Sequence, residues 1–111
     1  MNITPSIIKS TTRDTIPLRI AIGTGVATDA ILATSTLRVM LKKKITDPDF
    51  KALFTWETIN PTTRDFLVEI PPTATIEAGR YVVALKIWYQ EGQTYTLWTS
   101  PVVVTQGVFN V

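Results

Sequence analysis

The sequence predicts an all-β fold, a two-sheet antiparallel sandwich of about seven strands. Three observations lead there: runs of β-branched and aromatic residues recur at short intervals, each run is closed by Pro, Gly, Asn or Asp, and no window carries a convincing helical period. With 111 residues and no long polar or Gly/Ser-rich stretch, the chain fits one domain over 1–111, with short arms at 1–10 and 106–111. Its 45% hydrophobic and 18% charged residues are those of an ordinary folded protein. A closed barrel is the alternative arrangement of the same strands.

The first long run is Thr15 to Ile22, in which Ile16, Leu18, Ile20 and Ile22 share one face and Pro17, Arg19 and Ala21 the other. Pro17 cannot donate to a ladder and belongs near a strand start or an edge. Gly23 to Gly25 read as a turn. From Thr36 to Lys42, Leu37, Val39 and Leu41 alternate with Arg38, Met40 and Lys42, the inside-outside pattern of a half-buried strand. Asp47-Pro48-Asp49 closes that section as a turn. Phe50 to Trp56 reads as a short strand with Ala52, Phe54 and Trp56 on one face and Leu53 opposite.

After the Pro61 turn, Asp65 to Ile70 places Phe66, Val68 and Ile70 inward and Leu67 and Glu69 outward. Thr73 to Ala78 is a helical turn or a loop between sheets, being too short for a stable helix. The most regular element is a hairpin from Arg80, with Tyr81, Val83, Leu85, Ile87 and Tyr89 on one face and Val82, Ala84, Lys86, Trp88 and Gln90 on the other. Glu91-Gly92 forms its turn, and Thr94 to Ser100 returns. A three-residue connection, Glu91 to Gln93, sets Ile87 opposite Leu97 and Lys86 opposite Trp98, whereas two or four residues pair Trp88 with Tyr95. Pro101 marks a bulge or edge break before Val102 to Val104.

Chemistry is narrowed by what is missing. The chain has no Cys and no His, which removes disulfides, thiolate or histidine metal sites, and the Ser-His-Asp and Cys-His arrangements. Glu57, Asp65, Glu69 and Glu77 are acids of the type that could pair for glycoside hydrolysis, but each falls at a turn or an outward position, where a solvated carboxylate is expected. No cofactor, metal or catalytic residue is predicted. Eleven basic and nine acidic residues give a net charge of +2 spread along the chain, and Lys42-Lys43-Lys44 reads as a solvated strand end or edge protection, which argues against nucleic acid. No apolar run is long enough to span a bilayer, and Met1 leads into Asn2-Ile3-Thr4-Pro5 without signal-peptide character, so neither a membrane span nor a signal peptide is expected.

Trp88 and Trp98 are expected on the outward faces of neighbouring hairpin strands, with Lys86 and Gln90 beside them. Either one covers a sheet edge, or together they form an exposed apolar patch that contacts protein or sugar. Trp56, Tyr89 and Tyr95 could extend such a patch, and Phe109 would add to it from the C-terminal arm.

Three segments carry a resemblance: Arg13-Asp14-Thr15-Ile16-Pro17-Leu18, Ala33-Thr34-Ser35-Thr36-Leu37-Arg38-Val39 and Gly79-Arg80-Tyr81-Val82-Val83. The layout is similar to the Ig-like domains of tailed-bacteriophage virion proteins, particularly the N-terminal domain of baseplate upper proteins. In such domains a Gly-x-Tyr start feeds the penultimate strand, so the resemblance assigns Gly79 and Tyr81 structural roles, Tyr81 as the corner tyrosine, while Gly92 serves the hairpin turn. Arg13 stands where a glycine often precedes the aspartate, and no coiled-coil or receptor-binding region is expected after the sandwich.

The resemblance implies a non-catalytic virion subunit of the tail, baseplate, head-completion or capsid-decoration kind. Its partners would be other virion proteins and copies of itself, with the arms free to add to a neighbour's sheet edge. A carbohydrate-binding module that stacks a host glycan on Trp88 and Trp98 is the alternative function.

Overall fold

The computed structural model describes residues 8–23, 25, 27–75, 77–89 and 93–106, which form seven strands, one helical turn of α type and two 3-10 turns. In chain order the elements are β1 (Ile8–Thr11), β2 (Ile16–Ala21), α1 (Asp29–Leu32), β3 (Ser35–Lys42), β4 (Phe54–Ile59), β5 (Asp65–Ile70), β6 (Gly79–Tyr89) and β7 (Gln93–Thr105). Five strands make one sheet in the order β1-β7-β6-β3-β4, and β2 and β5 make a second. The expected all-β class holds. The larger sheet, however, is mixed and not antiparallel throughout, because β1 runs parallel to β7 with Ile8 beside Val102.

Both sheets close on one core. From the smaller sheet come Ile16, Leu18, Ile20, Val68 and Ile70, and from the larger Leu37, Val39, Leu41, Val83, Leu85, Ile87, Val102 and Val104. These are the inward sets that the alternation of β2, β3, β5 and β6 dictates, since a period of two sends every second side chain to the same face. Each fully buried Val, Leu or Ile stabilises the fold by roughly 1.5–3 kcal/mol relative to exposure. Trp56 on β4 meets Phe66 on β5 edge to face at 5.4 Å and joins the two sheets on that side.

Several elements depart from the local reading. β1 begins within the segment expected to be an arm and runs one residue past it, and it is held by Thr12 N–H donating to the Thr105 carbonyl at 2.8 Å just past its end. The runs before and after Pro101 are one strand; Pro101 lies one residue before the described pairing with β1 begins at Val102, so its missing N–H breaks no bond of that ladder. Phe50 to Leu53 is not strand: Asp49–Lys51 is a 3-10 turn, and β4 begins at Phe54. Where no helix is expected, Thr28 caps α1 by accepting from Ile31 N–H at 3.3 Å. The crossing between β5 and β6 agrees with the local reading in opening with a helical turn, the 3-10 turn Pro72–Ala74, and then buries Thr75 completely.

The hairpin register also moves. Tyr89 pairs with Gln93, leaving 90–92 between them, and a bulge puts Lys86 opposite Thr96 but Leu85 opposite Trp98. Leu97 is the extra residue. Two consecutive large apolar residues cannot both face inward in a regular strand, and the bulge lets both Leu97 and Trp98 pack against the core.

One connection is fastened by a side chain that has no local signature. Arg64, just before β5, donates from Nη1 to the carbonyls of Ile22 at 3.1 Å and Ala27 at 2.8 Å, and from Nε to Asp29 at 2.9 Å. A single guanidinium thus ties the segment after β2 to the start of α1 and to the approach to β5.

At the turn from β1 to β2, Arg13 has a φ of +63°, a left-handed conformation that L residues other than Asn and Asp disfavour. Its amide donates to the Thr75 carbonyl at 3.1 Å, which holds the turn in place. Arg13→Gly is therefore expected to raise stability by up to about 1 kcal/mol, because relief of the left-handed strain outweighs the added freedom of the unfolded chain. Urea denaturation checks this, and a lower midpoint in the variant would contradict it.

Candidate functional site

The outer face of the larger sheet begins as a polar alternation. Arg38, Met40 and Lys42 of β3 stand beside Lys86, Ala84 and Val82 of β6, in that order. A solvated face would leave Met40 and Lys42 open, yet their exposures are 1% and 3%, and Ala84 is at 2%. The loop between β3 and β4, residues 43–53, supplies the cover.

Its path follows from short-range chemistry. Lys44 and Asp47 close a turn, with Asp47 N–H donating to the Lys44 carbonyl at 3.0 Å and Lys44 N–H to Asp47 Oδ2 at 3.2 Å. Pro48 sets an extended entry, and Asp49 starts the 3-10 turn, in which Lys51 N–H reaches the Pro48 carbonyl at 2.9 Å. Leu53 N–H then returns the chain to the sheet by donating to the Leu41 carbonyl at 2.7 Å.

One carboxylate pins this loop down. Asp49 Oδ1 accepts from Lys42 Nζ at 2.8 Å and from Lys86 Nζ at 3.2 Å, and Lys42 Nζ also donates to the Asp47 carbonyl at 3.0 Å. Lys42 and Lys86 stand on neighbouring strands on either side of the Met40–Ala84 pair, so the bridging Asp49 lies over that pair. The Lys42 side chain is only 4% exposed, whereas that of Asp49 is 44% exposed. Of Lys42-Lys43-Lys44, only the last two are solvated as expected. Lys42 is buried with partners, Lys43 pairs with Glu77 at 2.8 Å and lies over the Tyr81 ring, and Lys44 is exposed.

The hydrogen bond from Lys42 holds the Asp49 carboxyl below its ordinary pKa; partial burial opposes this, and the Lys86 bond adds to it. Glu77 is likewise lowered, by its bond to Lys43.

Held in this way, the loop presents apolar residues to solvent. Phe50 is 84% exposed, Ile45 54% and Leu53 43%. Lys44 and Lys51, also exposed, make no side-chain hydrogen bond or ion pair among the described residues. Asp49 is shared by two lysines, and the Asp47 carboxylate, which accepts only from a neutral amide, offsets just one of the two free ammonium groups, so the net charge around Phe50 is positive.

The expected aromatic platform does not form. Trp88 and Lys86 do share the outer face, where Arg38 lies over the Trp88 ring at 4.6 Å and pairs with Glu57 on β4. Trp98 is on the opposite face, across from core residue Leu85, because the bulge at Leu97 reverses its side. Together with Ile20, Ile22, Leu85 and Leu97 it lines a groove of about 320 Å³ beside β2, which also includes Arg19. Trp56 faces inward, Tyr89 follows the inner set of β6, and Tyr95 is opposite Ile87 and 54% exposed. Gln90, Gly92 and Phe109 lie outside the described residues.

Tyr81 and Gly79 stand at the start of β6. The Tyr81 ring is 4% exposed, and its hydroxyl donates to the Glu77 carbonyl at 2.5 Å. Gly79, with φ +149°, occupies backbone space that a side chain would strain. The acids Glu57, Glu77, Asp65 and Glu69 lie on separate elements, except for the last two, which stand at opposite ends of the outward row of β5. Among the described residues no group of three His, Cys, Asp or Glu could hold a metal, and no helix is long and apolar enough to cross a membrane.

Phe50 is the residue that local reading misplaces, whereas Asp49 reads locally as part of a turn but not as the partner of two lysines. The available signal was Asp47-Pro48-Asp49, turn chemistry that runs into Phe50 and should have delayed the strand. Comparison with protein-family models, curated proteins and solved structures finds no match for this chain.

Protonation of Asp49 is harder in the folded chain than in the unfolded one. Its contribution is therefore present at neutral pH and is lost as the pH falls through the lowered folded-state pKa. Asp49→Asn is expected to cost about 1–2 kcal/mol at neutral pH, a figure kept low because the carboxylate is half open to solvent. In urea titrations across the acid range the gap between parent and variant should close on acidification; a gap independent of pH would contradict the assignment.

Proposed function

We propose that this chain is a non-catalytic structural or assembly subunit of a tailed-bacteriophage virion, an Ig-like sandwich that works through contacts with other proteins of the particle. The observation that carries the contact function is Phe50, 84% exposed on a loop fixed by Asp49, Lys42 and Lys86. An apolar side chain held rigidly in water costs free energy unless something covers it, and exposed aromatics of this kind mark association sites.

The Ig-like part of the reading is supported by strand neighbours. If β2 and β5 are lettered B and E, and β7, β6, β3 and β4 are lettered G, F, C and C′, the sheets follow the variable-type immunoglobulin arrangement. Tyr81, near the start of the strand lettered F and bonded to a backbone carbonyl upstream, fits the corner tyrosine of that fold. The virion part is supported by the sequence resemblance, in which the left-handed Arg13 occupies the position where a glycine is usual.

The lack of His and Cys and the separation of the solvated acids support a non-enzymatic role. A carbohydrate-binding role loses its motive, since Trp88 and Trp98 are on opposite faces. Mass spectrometry of purified particles made by the genome that encodes this chain is expected to find it as a regular component. Particles without it, together with a strictly monomeric chain that never co-purifies with them, would overturn the proposal.

A further inference from the structure

We infer that the Phe50 loop is a docking knob that seats in an apolar pocket bordered by carboxylates on another protein of the particle. The inference rests on the contact function proposed above and names the surface and the chemistry of the partner. Phe50 is the most exposed large apolar residue of the described chain, and Ile45 and Leu53 on the same loop are also open. Such a residue contributes to binding only when a cavity removes it from water.

Charge selects the partner. Lys44 and Lys51 flank Ile45 and Phe50 in sequence and are exposed, and with Asp49 shared by two lysines the single carboxylate of Asp47 leaves the loop net positive. A pocket bordered by Asp or Glu would compensate these two ammonium groups and steer the encounter. A second copy of this chain offers the wrong charge: the residues lining its apolar groove beside β2 include Arg19 and no carboxylate.

Rigidity separates a protein from a lipid surface as the occupant. The Asp49 bridge and the returning Leu53 amide fix the loop before binding, which favours a preformed pocket by cutting the ordering cost. A fluid bilayer gains little from such fixing.

The test adds recombinant chain to particles assembled from a genome lacking its coding sequence, and compares the parent with Phe50→Ser and with Lys44→Glu/Lys51→Glu. Where particles do not assemble without the chain, restoration of assembly replaces binding as the readout. Because all three positions are exposed, circular dichroism and the thermal midpoint should not change.

The parent should bind with an affinity that falls as salt rises. Phe50→Ser should bind about thirtyfold more weakly, as expected for the anchor of an interface. The double-glutamate variant should bind about tenfold more weakly and lose the salt dependence.

Parent and Phe50→Ser binding equally would overturn the knob while leaving the contact function standing. An unaffected double-glutamate variant would overturn the acidic partner. Phe50-dependent binding to phosphatidylserine/phosphatidylcholine vesicles, with none to particles, would reassign the loop to a membrane surface. A parent that neither binds nor restores assembly would overturn the contact function itself, and the knob with it.

Discussion

Around Met40 and Ala84 the central pair of strands in the larger sheet, β3 and β6, is buried on both faces, and the rest of the structure is arranged around that constraint. On the inner side Leu37, Val39, Leu41, Val83, Leu85 and Ile87 need apolar cover, which the β2–β5 sheet provides. On the outer side Met40, Ala84 and Lys42 are equally shielded from water. No strand is available there, so the β3–β4 loop has to fold back across the sheet. A loop carries unpaired backbone groups and little apolar surface of its own. Asp49 resolves this by meeting two ammonium groups at once, one from each central strand.

This arrangement joins the stability of the fold to the surface proposed for contact. The buried Lys42 ammonium would be costly alone, and it is satisfied only when the loop is closed over it. With the loop closed, Phe50 is exposed to solvent on a loop that also carries the exposed Lys44 and Lys51. The polar cluster that completes the fold thus also fixes the loop that carries the exposed Phe50. Arg64 does similar work elsewhere, binding the segment between β2 and α1 through carbonyls that no strand partner satisfies.

Features governed by a single strand's own period were legible in the sequence. Ile16, Leu18 and Ile20 alternate with Pro17, Arg19 and Ala21 as their order requires, and Phe66, Val68 and Ile70 face them from β5. Tyr81 was placed on the inner face of its strand by the same period, and it is buried there. What failed depended on distant partners. Met40 and Lys42 were placed on the correct face, but their burial comes from a loop whose anchor, Lys86, is far along the chain. Trp98 was assigned to the wrong face because a single extra residue reverses every side chain beyond it, and alternation alone does not reveal the bulge. β1 was read as an arm, since a short parallel strand has no turn chemistry to announce its partner.

The account stands on the claim that the β3–β4 loop is a fixed lid and not a mobile connection. Native-state hydrogen exchange at Leu53, whose amide donates to the Leu41 carbonyl at 2.7 Å, tests that claim most directly. The amide should be protected nearly as well as those of the central strands in the parent chain, and markedly less in Asp49→Asn. Exchange at Leu53 as fast as in an open loop, with or without Asp49, would contradict the account.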